Sequence, residues 1–452
     1  MHNSFCLPVR HVFVSLLTLA LCACGGPNKV GDTVATSNNV SASVSKLSAA
    51  ALVGQKIFFD QNLSGSGKMS CATCHDPNFA YGPPNKLAVQ LGGIALDQPG
   101  SRAAPSLRYK DVTPAYADLL DNPDGISAPG PGGGFTQDGR VDSLAAQAAI
   151  PLLNAAEMAN ASGDAVVAKL KTASYAALFT AAFGTDAFAD SKAAFNNATL
   201  ALQAFQLEDS SFHPYSSKFD LHASNKLGGT FSAAEARGLK IFSDPNTGNC
   251  ASCHYQGAGR EGSSGLFTDF SYAAIGVPRN RANAVNLDPS FIDEGICGPF
   301  RRDHLPATAN SANAYCGMFK TPTLRNVSTR QVFFHNGVLT SLLQVLQFYN
   351  TRDTNPEIWY PTIGGTALKT PSANFPNYGL ITTQYSGGTV SKYDDLPARY
   401  RANIDTQLPL DGRKAGSKPP MSDQDLADLA CFLGTLNDGY QAGSPTNNAA
   451  CQ

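Results

Sequence analysis

The chain has 452 residues, 43% of them hydrophobic and 15% charged, and a formal net charge of −2. That length holds more than one domain-sized core, and the composition is that of an ordinary globular protein with few charges. A near-neutral chain without a Lys/Arg run has no electrostatic basis for nucleic-acid binding, which is excluded as a function class.

The first predicted element is an export signal. Arg10 and His11 precede the apolar run Val12 to Leu21, which is too short to span a bilayer and suits a signal-peptide core. Leu21-Cys22-Ala23-Cys24 then resembles a bacterial lipobox, with residues 1–23 removed and Cys24 acylated. Cleavage near Ala23 without a lipid is the alternative. Residues 24–45 lack periodicity and read as a flexible linker. The expected location is the periplasm, with the membrane reached only through the lipid anchor.

From there the chain repeats itself. "GQKIFFD" (54–60) stands before "CATCH" (71–75), and "GLKIFSD" (238–244) before "CASCH" (250–254). Ser232 and Glu235 form a capping box at the start of the second helical pattern. "APSLR" (104–108) is echoed by "TPTLR" (321–325), and "FTQDGRVDSL" (135–144) by "FFHNGVLTSL" (333–342). Three landmarks in the same order imply an internal duplication. Ala-rich helical patterns dominate and strand alternation is scarce, so the predicted fold is mainly α with long loops. The units are 46–212 and 213–443, followed by a tail, 444–452.

Each C-x-x-C-H motif has the chemistry of a covalent haem site. Two thiols can form thioethers with the vinyl groups, and the adjacent imidazole reaches the iron. Cys71, Cys74 and His75 would hold one haem c, and Cys250, Cys253 and His254 the other. A zinc reading needs ligands paired at short spacing, and these motifs lie far apart in the chain. Of the 11 cysteines, Cys297 and Cys316 bracket one loop and are expected to pair. Closing a loop of that size contributes about 3 kcal/mol in the chain-entropy model. Cys431 with Cys451 is a second candidate pair.

The haem motifs, "DGRVDSLAAQAAIPLLNAAEM" (138–158), "FKTPTLRNV" (319–327), "FFHNG" (333–337) and "LQFYNTR" (346–352) together resemble the bacterial dihaem cytochrome c peroxidase family, which includes the MauG proteins. The resemblance covers about residues 46–440. It implies two cytochrome c-like domains with one covalent haem each, the first of them peroxidatic.

The resemblance also implies site residues. Glu157 matches the family's catalytic Glu, against the ordinary reading of a solvated helix residue. Gln147 matches its companion in the distal pocket. No His follows His75 until His213, so the first haem is expected to lack a His sixth ligand and to be open to peroxide. Met158 is the nearest soft donor. Leu342, Val345, Leu346 and Tyr349 share one helical face. By periodicity alone Tyr349 is a core tyrosine with a bonded hydroxyl. By resemblance it is a phenolate ligand of the second haem, where electron-accepting relatives carry Met. A hard anionic donor favours the oxidised iron, and a thioether the reduced. His335 occupies the repeat position of Gln137 and is expected beside the second haem. His213, His222 and His304 have no motif and read as surface or structural residues.

Two family features are altered. Gln137 stands where the family carries a Trp between the haems, and Trp359, the only tryptophan, lies outside that motif. Ala103 stands where the resemblance implies an Asn ligand to calcium, and "TRQV" (329–332) replaces the stretch that supplies carbonyls, so calcium would have fewer ligands. The implied function is an exported oxidoreductase that reacts with hydrogen peroxide at the first haem and uses the oxidising equivalents on a protein substrate. The second reading is a peroxidase fed by a protein electron donor, a small cytochrome or cupredoxin. The third is a non-enzymatic electron-transfer protein. The Pro-, Gly- and Tyr-rich stretch 353–420 reads as a partner surface or as loops.

Overall fold

The computed structural model describes residues 46–257, 264–303, 313–364, 366–367, 385–386, 388–443 and 451. The signal, Cys24, the linker 24–45, His304, much of 365–387 and all of the tail except Cys451 lie outside them. Among the described residues the α-helices are α1 (Ala49–Phe59), α2 (Cys71–Cys74), α3 (Leu144–Leu153), α4 (Gly163–Thr172), α5 (Ala176–Phe183), α6 (Ser191–Glu208), α7 (Lys218–Ala223), α8 (Ala233–Ser243), α9 (Leu342–Thr351) and α10 (Asp423–Gly434). Most start where the sequence offers an oxygen for the free N–H groups of the first turn. Ser48, Ser143, Ser162, Asp190, Ser217, Ser232, Ser341 and Ser422 each accept one with their side chain. The Ser232–Glu235 capping box is formed at α8. The described strands pair only in two-stranded antiparallel sheets. No described helix is long and apolar enough to cross a membrane.

Both copies of G-x-K-I-F-x-D close a helix, and their glycines set a helix crossing. α1 packs on α6, and α8 on α10. A Cβ at Gly54 would collide with the carbonyl oxygen of Ala201, and one at Gly238 with that of Asp428. The two helix pairs therefore approach at a distance only glycine allows. Phe58 and Phe242, from the same motifs, each meet an aromatic of the partner helix. Phe58 lies 5.6 Å from Phe205 and Phe242 lies 5.2 Å from Phe432 between ring centroids.

Each crossing belongs to its own core. One is built from Val53, Ile57, Phe58, Leu152, Leu170, Phe179, Phe205 and their neighbours. The other is built from Phe242, Phe267, Phe348, Trp359, Leu429, Phe432 and theirs. Trp359 and Tyr360, from the 353–420 stretch, are buried in this second core. Lys46–Gln452 nonetheless form one compact unit. Polar contacts join the two halves: Arg102 makes a two-pronged pair with Asp293 at 2.6 and 2.7 Å, and Tyr109 donates to Asp438 at 2.6 Å.

The duplication also shows in the backbone. Tyr81 and Phe267, Tyr109 and Asn326, and Thr136 and Phe334 all have positive φ, between 56° and 66°. Such values are uncommon for non-glycine residues, and here they recur at matching places. The bridge Phe135–Val141 before α3 has its counterpart in Phe333–Leu339 before α9.

Replacing either crossing glycine should force the helices apart. Gly54→Ala and Gly238→Ala are each expected to lose about 1–3 kcal/mol, the usual cost of overpacking. Gly434→Ala, where an added Cβ meets nothing, should stay within about 0.5 kcal/mol. Denaturant unfolding of the three variants checks this.

Candidate functional site

The two histidines of the repeated motifs are held identically. His75 ends the single turn α2, and its Nδ1 lies 3.0 Å from the Tyr81 carbonyl oxygen. His254 follows the 3₁₀ turn Cys250–Ser252, and its Nδ1 lies 3.0 Å from the Phe267 carbonyl oxygen. Both acceptor residues are among those with positive φ. The carbonyls of Pro105 and Pro322, from "APSLR" and "TPTLR", act on the two rings against the effect of burial. A ring fixed through Nδ1 keeps Nε2 for a metal. Burial lowers each imidazole to about 4, so both are neutral at neutral pH, which is the ligating form. Burial likewise pushes the thiols of Cys71, Cys74, Cys250 and Cys253 up to about 12. All four are free of disulfides.

A cavity of about 320 Å³ is bordered by Cys250, Cys253 and His254, a size within the roughly 300–1,000 Å³ of cofactor sites. α9 supplies Leu342, Val345, Leu346 and Tyr349 to the same cavity, all from the face read in the sequence. The Tyr349 hydroxyl makes no hydrogen bond to any described residue. Burial holds its phenol well above the ordinary range, with Cys253 and Cys250 adding to the effect. Deprotonation here needs a nearby cation, and a ligated metal ion supplies one. Two thiols, an imidazole with Nε2 available, an apolar cavity and an unsatisfied phenol fit a covalently attached haem. Cys250 and Cys253 would bind its edge, His254 one axial position, and Tyr349 stands as the candidate for the other.

In the first half the helix corresponding to α9 is α3. Pro151 follows the cap Ser143 by the same number of residues as Tyr349 follows Ser341. A prolyl ring has no donor atom, so the repeat position of Tyr349 cannot ligate. Past Pro151 the chain turns, with Met158 N–H donating to the Pro151 carbonyl at 3.0 Å. This turn carries Glu157, which acts electrostatically on both Cys71 and Cys74. Burial raises the Glu157 carboxyl, while a 2.6 Å hydrogen bond from Asn154 Nδ2 to Oε1 and the charge of Arg140 oppose that shift. Oε2 makes no hydrogen bond to a described residue. Met158 is buried in the first core. Gln147 borders the cavity described above. Asn154, which orients Glu157, was not singled out in the sequence. Its one signal there is an Asn three residues before the acid.

His335 and Gln137, equivalent by repeat, both border the cavity. His335 stacks on Phe319 with centroids 3.7 Å apart, and its Nε2 is 4.0 Å from Asp395 with no hydrogen bond. Gln137 donates to the Ala103 carbonyl at 3.2 Å, and its Oε1 is unpaired. Ala103 is buried and offers no side-chain oxygen at the position implied for calcium. His222 is structural: its Nδ1 lies 3.0 Å from the Gly229 carbonyl and its ring stacks on Phe231. Disulfides join Cys297 to Cys316 and Cys431 to Cys451.

The chain matches the family model for di-haem cytochrome c peroxidase over residues 48–227. It is 35% identical over 311 residues to the methylamine utilization protein MauG of Paracoccus denitrificans, covering 67% of this chain and 74% of that protein. It is 26% identical to cytochrome c551 peroxidase of Nitrosomonas europaea, covering 82% and 94%. The crystal structure of the diheme peroxidase BthA from Burkholderia thailandensis superposes with a TM-score of 0.71 at 33% identity, covering 89% of each chain. A variant of BthA in which a tyrosine is replaced by methionine matches equally.

If each motif holds its haem independently, the double variant Cys250→Ala/Cys253→Ala should retain one covalent haem per chain and the wild type two. Denaturing mass spectrometry and the pyridine haemochrome absorbance check the count.

Proposed function

The chain belongs to the di-haem cytochrome c peroxidase family, and from that membership we propose that it is a MauG-like oxidoreductase, which reacts with hydrogen peroxide at the first haem and spends the oxidising equivalents on a protein partner. Membership already makes it a peroxidase-type oxidoreductase with two haems c. The finer reading rests on one observation: the Tyr349 hydroxyl borders the second-motif cavity without a hydrogen-bond partner among the described residues. A core tyrosine normally satisfies its hydroxyl. A phenol left open beside Cys250 and Cys253 is what an axial ligand requires.

The bound haem iron supplies peroxide binding and one-electron chemistry. The chain's own residues do the rest. Burial keeps the imidazoles of His75 and His254 neutral, and the carbonyls of Tyr81 and Phe267 hold their rings through Nδ1. Pro151 keeps a donor away from the first site. Glu157, raised by burial and steered by Asn154, takes a proton from one peroxide oxygen through Oε2 and returns it to the other. Tyr349, as an anionic oxygen donor, favours the oxidised state of the second haem. That suits a site that holds oxidising equivalents better than one that receives electrons. The reading as a peroxidase fed by a small cytochrome or cupredoxin requires the opposite bias at the second haem.

Export to the periplasm completes the proposal. Two disulfides suit an oxidising compartment. The lipid anchor at Cys24 rests on the sequence pattern alone.

Glu157→Gln should keep both haems and slow peroxide consumption by roughly 10²–10⁴-fold, the range for a lost acid–base group. A stopped-flow trace unchanged from wild type would move the proton-transfer role elsewhere. Tyr349→Phe should raise the ferrous-to-ferric ratio of the second haem at fixed potential at least tenfold, about 59 mV for a one-electron couple. Spectroelectrochemistry reads this directly, and an unmoved potential would return Tyr349 to the core.

A further inference from the structure

Three cations border the cavity without an acidic partner of their own. Lys110 comes from the first half, and Lys320 and Arg330 from the second. The Lys110 ammonium makes no hydrogen bond or ion pair with any described residue. Arg330 reaches across to donate to the Ala104 carbonyl at 3.2 Å, and Lys320 reaches across to the Gly134 carbonyl. Neither makes an ion pair among the described residues. The carboxylate that acts on Lys320, Asp138, is already bound by Arg102 and Arg140 at 2.8 and 2.9 Å and by Thr136. Asp405 borders the cavity on the other side, beside Cys253 and Tyr349.

Such a cluster costs free energy as it stands. Burial and mutual repulsion lower Lys110 to about 8 and Lys320 to about 7, and burial lowers Arg330 to about 10. Charges removed from water persist when a counter-charge meets them. The cluster touches both sites: Arg330 and Lys110 act electrostatically on His75, and all three cations share the cavity of His254. A haem brings a pair of propionate carboxylates on one edge of an otherwise apolar ring, and these three cations border a cavity also lined by apolar side chains such as Leu107, Phe135, Leu324 and Val327.

We propose that Lys110, Lys320 and Arg330 form one cationic seat, set between the two halves, that receives propionate carboxylates of both haems and so sets the two potentials together. The inference rests on the two-haem reading but not on the role of Tyr349. Cations near a haem favour its reduced form, because reduction removes positive charge from the iron. Losing one therefore lowers the potential.

The test uses the holoprotein, with haem content counted first by pyridine haemochrome. Lys110→Gln should lower the ferrous-to-ferric ratio at fixed potential about tenfold at both haems, ~59 mV for one electron. Lys320→Gln should do the same, and Lys110→Arg should leave both potentials in place. Movement of one haem alone, of neither, or an equal fall in Lys110→Arg would overturn the shared seat. Should a neutral variant fail to load two haems, resonance Raman of the wild type decides: propionate bending modes of ion-paired carboxylates on both haems support the seat, and free-carboxylate frequencies on either sink it. Failure of the Tyr349 reading shows separately, as a second-haem potential that Tyr349→Phe leaves unmoved.

Discussion

The 3.0 Å contact between an imidazole Nδ1 and a backbone carbonyl, made once in each half, is the constraint around which the rest is arranged. An imidazole can present Nε2 to a metal only if its ring is stopped from turning and its other nitrogen is occupied. Here the acceptors are Tyr81 and Phe267, both forced into a positive φ. Aromatic packing pins those residues: Tyr81 stacks on Phe212 at 3.9 Å, and Phe267 meets Phe219 at 4.8 Å. The glycine crossings of α1 on α6 and α8 on α10 bring Phe58 and Phe242 against the same aromatics, at 5.7 and 5.9 Å. Helix packing thus determines the direction of a nitrogen.

With the proximal sides equal, the difference between the halves lies in a few side chains on matching backbones. α3 and α9 start from equivalent serine caps after equivalent bridges. One presents Pro151 and the other Tyr349. Matching backbone positions therefore carry a ring without a donor atom in one half and a phenol oxygen in the other. Gln137 and His335 repeat this at the junction. Both border the cavity and both leave a buried polar atom unpaired, which native interiors seldom tolerate without a ligand or water.

The helices, caps and repeats were legible because they are local. Ser232 with Glu235, the alternation of apolar residues in α9 and the two C-x-x-C-H runs each declare themselves within one or two turns. Glu157 and Tyr349 were singled out through resemblance rather than periodicity, since a bare sequence does not separate either from an ordinary helix residue. What stayed hidden depends on contacts between distant segments. The role of Gly54 needs Ala201, that of Asn154 needs the turn after Pro151, and Lys110, Lys320 and Arg330 carry no motif that links them. The equivalence of Pro151 and Tyr349 was readable from the caps, but only once the cap positions were known.

The unsatisfied groups point to a chain that is incomplete without its cofactors. A half-buried phenol without a hydrogen bond, three cations without acids and an apolar cavity would each oppose folding in a finished protein. These features border one cavity. A haem would offset all of them at once: iron the phenol, carboxylates the cations, and the porphyrin plane the empty volume. Anything that binds the folded state alone stabilises it, and covalent attachment makes that binding permanent. Cysteines that attached a haem at this cavity would then serve folding as much as redox chemistry, because they would keep in place the group that the surrounding side chains are arranged to meet.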